Sequence, residues 1–314
     1  MKMILDLDTG IDDALALAYA LGRPEVELIG VFGSFGNVTV DTSVRNSLDL
    51  LALLGSGDVP VCRGAAHAWG AKGYEPGPFK YRIHGKNGIG NVILPRSAAE
   101  ISPVGGVDFL LDAARRFGPE LAVVATGPLT NLAQAIRQDR AAMERVGRIS
   151  IMGGALTVPG NRTPFAEANI CDDTAAANYV MESGIPLTMV GLDVTLKTKI
   201  TGREIDDWRG VNTPAAKALV KMSEYYYTNE SETGEIGGAI HDPLAVEAAI
   251  CPDAFEMLPC NLTVITEGPG AGRTVGDPAR LSCPGKSVQV CVDVAADAFV
   301  EKFARTIHQM LCKG

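Results

Sequence analysis

No basic run stands out in this 314-residue chain, where 28 lysines and arginines face 37 aspartates and glutamates for a net charge of −9. Such a surface repels a polyanion, so no nucleic-acid partner is expected. No stretch reaches the roughly 20 apolar residues of a membrane span, so no membrane partner is expected either. The opening string MKMILDLDTGIDD puts carboxylates where a signal peptide needs an apolar core, and the chain reads as cytoplasmic. The seven cysteines, at 62, 171, 251, 260, 283, 291 and 312, contain no C-x-x-C pair, which excludes a disulfide framework or zinc site as the expected reading. No internal repeat and no dividing linker occurs, so one domain over 1–314 is expected.

What is present is ordinary core-forming composition, 46% hydrophobic against 21% charged, unlike that of a disordered chain. Short runs rich in Val, Ile and Leu read as buried strands: Met3–Leu7, Val26–Phe32, Leu121–Ala125, Ile149–Met152, Pro186–Leu192, Leu262–Ile265 and Val288–Val292. Between them lie stretches with helical spacing, among them Asp12–Leu21, Val44–Leu54, Val107–Phe117, Asn131–Ile136, Asp173–Glu182, Thr213–Tyr227, Pro243–Ala249 and Ala295–Met310. Strand followed by helix, repeated, predicts an α/β fold with a mostly parallel sheet covered on both faces. Ligands of such sheets bind where strands end, and the polar residues cluster there. The Gly- and Pro-rich segment Ala66–Pro95, with HGKNGIGN inside it, reads as an active-site loop, and Glu267–Lys286 as a hairpin edge.

The most informative string is Asp6-Leu-Asp8-Thr-Gly-Ile-Asp12-Asp13, four carboxylates where an apolar strand gives way to a helix. Packed a few ångströms apart they raise one another's pKa unless a cation, hydrogen bonds or the helix N-terminus compensates. Hard oxygen donors of this kind suit Ca2+ or Mg2+. The bland alternative is that Asp12 and Asp13 serve the helix start while Asp6 and Asp8 face water. The two-residue strand period, which sets Asp6 and Asp8 on one side, weighs against it. Glycine and glutamate do not fall where an EF-hand needs them. A second acidic position, Asp242 in IHDPLA, is by itself an N-cap followed by proline.

Taken together, these strings resemble the inosine-uridine preferring nucleoside hydrolase family: DLDTGIDDALAL, GNVTVDTSVRN at Gly36, HGKNGIGN at His84, ATGPLTNLA at Ala125, MGGA at Met152, NRTPFAEANICDD, GLDVT, IHDPLA and GRTVGD, in order over nearly the whole chain. The resemblance implies a Rossmann-like nucleoside hydrolase fold and Ca2+-dependent cleavage of a ribonucleoside, purine or pyrimidine, to free base and ribose. It implies calcium held by Asp8, Asp13, Asp242 and the Thr126 carbonyl, with Asp8 as general base toward a calcium-bound water. It also implies that Asp12, Asn37, Asn161, Glu167 and Asn169 bond ribose hydroxyls, that Met152 belongs to the substrate site, and that His84 and His241 protonate or orient the leaving base. Relatives assemble as homodimers or homotetramers. Among Tyr225, Tyr226 and Tyr227 one residue is expected to stack on the base, with Tyr227 favoured. This chain departs from the family pattern at Thr9, where proline is usual, and at Ala168, where many relatives carry phenylalanine. Two other readings stand beside this one: a phosphatase with Asp6 as nucleophile, and a calcium-dependent nucleoside sensor without turnover.

Overall fold

The computed structural model describes residues 1–230 and 236–313. Its strands are β1 Lys2–Leu7, β2 Glu27–Gly33, β3 Val61–Arg63, β4 Leu121–Ala125, β5 Arg148–Met152, β6 Leu187–Val190, β7 Lys199–Thr201, β8 Gly237–Ala239, β9 Phe255–Cys260, β10 Leu262–Val264, β11 Thr274–Gly276 and β12 Val288–Val294. Eight of them form one sheet in the order β3-β2-β1-β4-β5-β6-β12-β9. Every neighbouring pair is parallel except β12 with β9. This single α/β domain is the architecture that the alternation of apolar runs and helical spacing predicts.

Each central strand is buried on both faces because its side chains alternate between two apolar cores. Met3, Leu5 and Leu7 enter the core under helices Ile11–Gly22, Pro214–Glu230, Asp242–Ile250 and Ala296–Leu311. Ile4, Val123 and Ala125 enter the one under Gly106–Phe117, Thr130–Gln138 and Thr174–Glu182. Covering both faces is what makes near-continuous Val, Ile and Leu runs tolerable in a parallel sheet.

Strand order reverses between β1 and β4, the switch point at which a doubly wound sheet opens a crevice beyond its strand ends. Asp6 pairs in register with both Phe32 and Ala125, so the chain leaves β1, β2 and β4 at one level. The Thr126 amide then donates to the Asp6 carbonyl at 2.9 Å, which fixes the first residue beyond β4 against β1.

Two readings are corrected. Leu262–Ile265 is not a strand of the main sheet: β10 pairs antiparallel with β11 in a separate hairpin, and β11 lies within the segment expected to form one. The long polar segment 66–95 is not all loop, since Pro78–His84 is a helix with proline in its first turn, where a missing N–H costs nothing. β3 and β9, which close the two edges of the sheet, were not anticipated.

Helices Ile11–Gly22 and Asp242–Ile250 pack together and are joined by a buried polar knot. Glu247, 1% exposed, accepts from the Tyr19 hydroxyl at 2.8 Å, from the Arg23 guanidinium, and from Lys302 at 2.8 Å. Breaking a buried ion pair from one side leaves an uncompensated charge. Arg23→Met is therefore expected to cost roughly 3 kcal/mol, measured by urea unfolding; a loss under about 1 kcal/mol would mean that Lys302 alone suffices.

Candidate active site

The loops leaving β1, β2, β4 and β5 meet at the switch point. Asp8 and Asp13 are wholly buried and Asp242 is 1% exposed, each delivered by a strand end or a helix start. Asp13 serves its own helix, its Oδ2 accepting the Gly10 amide at 2.8 Å, while its Oδ1 accepts the Thr126 hydroxyl at 2.7 Å. The bland helix-start role and the site role are thus combined in one side chain. Asp8 is held by the β2 loop: the Asn37 amide donates to its Oδ2 at 2.6 Å and Asn37 Nδ2 to its Oδ1 at 3.0 Å. Asn37 Nδ2 also donates to Asp13 Oδ2 at 3.2 Å, so the carboxamide bridges the two acids.

That loop approaches so closely that only glycine fits at position 36. Gly36 has φ +152°, and a Cβ there would stand 1.9 Å from Asp8 Oδ2. The Tyr74 hydroxyl caps the Gly36 carbonyl.

Carboxylates buried this way are held against their preferred ionisation. Burial, then the Asp13 charge, pushes Asp8 well above the usual carboxylate range. Burial, then Asp12, Asp13 and Asp8, does the same to Asp242. Beneath them Asp6, its Oδ1 bonded to Ser34 and Asn131, is pushed up to about 6, chiefly by burial. Oxygen atoms of Asp12, Asp13 and Asp242 lie within 4.8 Å of one another. Asp242 Oδ2 is buried with no hydrogen-bonding partner among the described residues. A converging set of hard oxygens, one of them unsatisfied, can hold a divalent cation. The geometric cluster therefore contains Asp12 beside Asp13 and Asp242, and Asp8 is linked to Asp13 through the Asn37 carboxamide. The Thr126 carbonyl accepts Asn169 Nδ2 at 2.7 Å, which leaves its second lone pair for a further partner.

Above the acids lies a cavity of about 420 Å³ lined by Asp12, Asn37, Lys80, His84, Thr126, Met152, Asn161, Glu167, Asn169, Tyr226 and His241, among others. Glu167 caps the short helix Ala168–Asp172, accepting the Asn169 and Ile170 amides. Asn161 sits exposed at the rim, its Oδ1 accepting the Ala168 amide at 3.0 Å. Asn169 Nδ2 also reaches the Met152 carbonyl at 3.1 Å. Of the three adjacent tyrosines the one that lines the cavity is Tyr226, its ring 5.4 Å from His84 and its hydroxyl 3.4 Å from Asp12 Oδ2. Tyr227, favoured from the sequence, is 1% exposed and packs edge-on against Tyr226 from the core side. Adjacent helical positions point about 100° apart, so only one could face the cavity.

His84 has a defined tautomer. Its Nδ1 accepts the Ile11 amide at 3.2 Å, so the ring proton resides on Nε2. Burial, then the nearby Lys80 charge, pushes its pKa well below the usual imidazole value, and it is neutral. Neutral His84 donates a hydrogen bond but is a poor proton source. The other imidazole, His241, is fixed through Nδ1 to Thr195 Oγ1 at 2.9 Å.

Lys80 and Gly36 were missed from the sequence. Lys80 stands one helical turn before His84 on the same face, a relation visible only once Pro78–His84 is recognised as a helix.

A doubly wound sheet with buried carboxylates and two imidazoles around one cavity has the parts of a hydrolase acting on a small polar molecule. Residues 3–301 match the family model described as inosine-uridine preferring nucleoside hydrolase, and the chain belongs to that family: it is a nucleoside hydrolase. It is similar to a solved structure titled purine-preferring ribonucleoside hydrolase from Gardnerella vaginalis, at 43% identity, TM-score 0.98 and full coverage of both chains. Uridine nucleosidase 1 of Arabidopsis thaliana is 35% identical over 88% of this chain and 82% of its own length. The pyrimidine-specific ribonucleoside hydrolase RihA of Photobacterium profundum is 32% identical over 97% of this chain and 98% of its own.

Two predictions follow from this geometry. Gly36→Ala should keep the far-UV circular dichroism of the fold yet weaken divalent-cation binding by about 10–100-fold through displacement of Asp8, as measured by calorimetric titration; unaltered binding would show that the loop yields freely. Relative to a His84→Gln variant, the protein should lose stability as pH falls below about 6.5, because the unfolded chain takes up a proton that folded His84 refuses. Urea unfolding of metal-free protein at neutral and mildly acid pH measures this, and a pH-independent difference would contradict it.

Proposed function

We propose that the protein catalyses Ca2+-dependent hydrolysis of the N-glycosidic bond of ribonucleosides, purine and pyrimidine, to free base and ribose. The observation that carries this reading is the unsatisfied Asp242 Oδ2 in a cluster of carboxylates whose member Asp12 lines the cavity. Asp8, Asp13, Asp242 and the Thr126 carbonyl would hold the calcium, an all-oxygen set of the kind this ion takes. Calcium bound there supplies charge that orients the ribose diol and acidifies water.

The chain's own residues do the rest. Asp8, its basicity raised by burial and by Asp13, takes the proton of the attacking water. Departure of the base leaves an oxocarbenium-like ribosyl cation, which the carboxylates of Asp8, Asp12, Asp13 and Glu167 stabilise electrostatically. Asp12, Asn161, Glu167 and Asn169 bond ribose hydroxyls above the Met152 floor. Asn37, both of whose amide hydrogens are spent on Asp8 and Asp13, contributes through Oδ1 as an acceptor. On the base side His84 donates from Nε2, Tyr226 supplies an aromatic face, and His241 delivers the proton to the leaving base.

Acceptance of both base classes is supported by the small Ala168 side chain on the cavity wall and by relatives named for either class. The exposed Ile93, Ile101 and Val104 are apolar side chains that assembly into a homodimer or homotetramer would cover. Seven unpaired thiols fit a cytoplasmic enzyme.

Purified protein given inosine, adenosine, uridine, cytidine and thymidine should release base and reducing sugar from the ribonucleosides, with turnover abolished by chelator and lowered roughly a thousandfold in Asp8→Ala. Calcium bound without turnover of any nucleoside would favour a sensor, and phosphatase activity would favour the Asp6 reading. Calcium at a hundredfold excess over its Kd should raise Tm by about 5 °C near pH 8. The gain should shrink near pH 5, since carboxyls with raised pKa retain protons there that compete with the ion. An equal gain at both pH values would place the calcium elsewhere.

A further inference from the structure

Lys80 is the one buried cation among the described residues that line the cavity, at 4% exposure. Its ammonium lies 3.0 Å from Asp172 Oδ2 and donates to Asn37 Oδ1 at 3.2 Å. Burial works against its charge, but Asp172, then Asp8, outweighs it, and Lys80 stays protonated. Burying an ammonium is expensive unless it is paired and fully bonded, so a cation at this depth calls for a role.

The chemistry of Asn37 supplies one. A carboxamide has a donor end and an acceptor end, and the two are nearly isosteric. With Nδ2 toward Asp8 Oδ1 and Asp13 Oδ2, the group bridges the two acids. Rotated by half a turn, it would set Oδ1 against both carboxylates, three acceptors together. An ammonium can only donate, so whatever faces Lys80 must be an acceptor. Lys80 thus makes the bridging orientation the satisfied one from the other side. Asp172, at the end of the short helix capped by Glu167, holds the ammonium in turn.

Building on the calcium-dependent reading, we propose that Lys80 is a positioning residue of this site, which together with Asp172 locks the Asn37 carboxamide across Asp8 and Asp13 and thereby presets the spacing of those two carboxylates for the cation. The effect passes through Asn37, so it must vanish when Asn37 is gone. It is paid in a buried charge whose compensation, Asp172, comes from the short helix that carries Asn169 and is capped by Glu167.

The test is a double-mutant cycle on the full-length protein, read by calcium titration of chelator-treated protein and by nucleoside kinetics. Lys80→Met should weaken calcium binding by about 10–100-fold and lower kcat, with KM at saturating calcium changed less. Lys80→Gln, which keeps an N–H toward Asn37, should recover part of the affinity. In an Asn37→Ala background Lys80→Met should cost nothing further. Because Lys80→Met alone leaves Asp172 buried without its partner, Lys80→Met/Asp172→Asn serves as the folded control and should show the same calcium defect. The proposal is overturned if Lys80→Met and Asn37→Ala are additive, or if Lys80→Met binds calcium within twofold of wild type. Wild-type protein that binds no calcium and cleaves no nucleoside would instead remove the functional reading, and this inference with it.

Discussion

Crowding of like charge in a dry place governs this molecule. Asp6, Asp8, Asp13 and Asp242 are all buried at the point where strand order reverses. In a low-dielectric interior their repulsion and lost hydration would favour protonation, and the upward movement of their pKa values expresses that tension. Much of the surrounding structure relieves it: helix starts at Ile11 and Asp242, the Asn37 bridge, the Thr126 hydroxyl, and Ser34 and Asn131 beneath Asp6. The remainder includes the unsatisfied Asp242 Oδ2, the part that a cation can complete.

The sheet itself was legible because its physics is simple. A strand buried on both faces must be apolar throughout, and the runs in β1, β2, β4, β5, β6 and β12 stand out for that reason. The edges obeyed other rules. β3 has only three residues, too few to carry a pattern. β9 contains Pro259, which reads as a strand breaker and is tolerated there because β9 is the edge of the sheet. The run Leu262–Ile265 looks like a core strand, yet its partner is a local hairpin, a matter of tertiary context that period alone does not encode.

In the site, the acidic string declared itself by density, and resemblance assembled the remaining residues around it. Residues whose importance lies in what they touch were the ones missed. Gly36 matters because Asp8 occupies the space of its absent side chain, a fact about two chain segments 28 positions apart. Lys80 hid inside a seven-residue helix flanked by glycine and proline, too short for periodicity to reveal. The choice between Tyr226 and Tyr227 turned on the rotation of one helix, about which three consecutive tyrosines are silent.

The knot of Tyr19, Arg23, Glu247 and Lys302 has a meaning beyond stability. It clamps together the two helices whose opposite ends present Asp12, Asp13 and Asp242, and it recruits the last helix of the chain to do so. An ion entering the cluster therefore meets carboxylates whose supports are already ordered, and little conformational freedom is left for it to quench. The affinity of the cluster is in this sense written partly at the other ends of the helices that present it, where Lys302 of the final helix helps to set how rigidly a trio of oxygens is held.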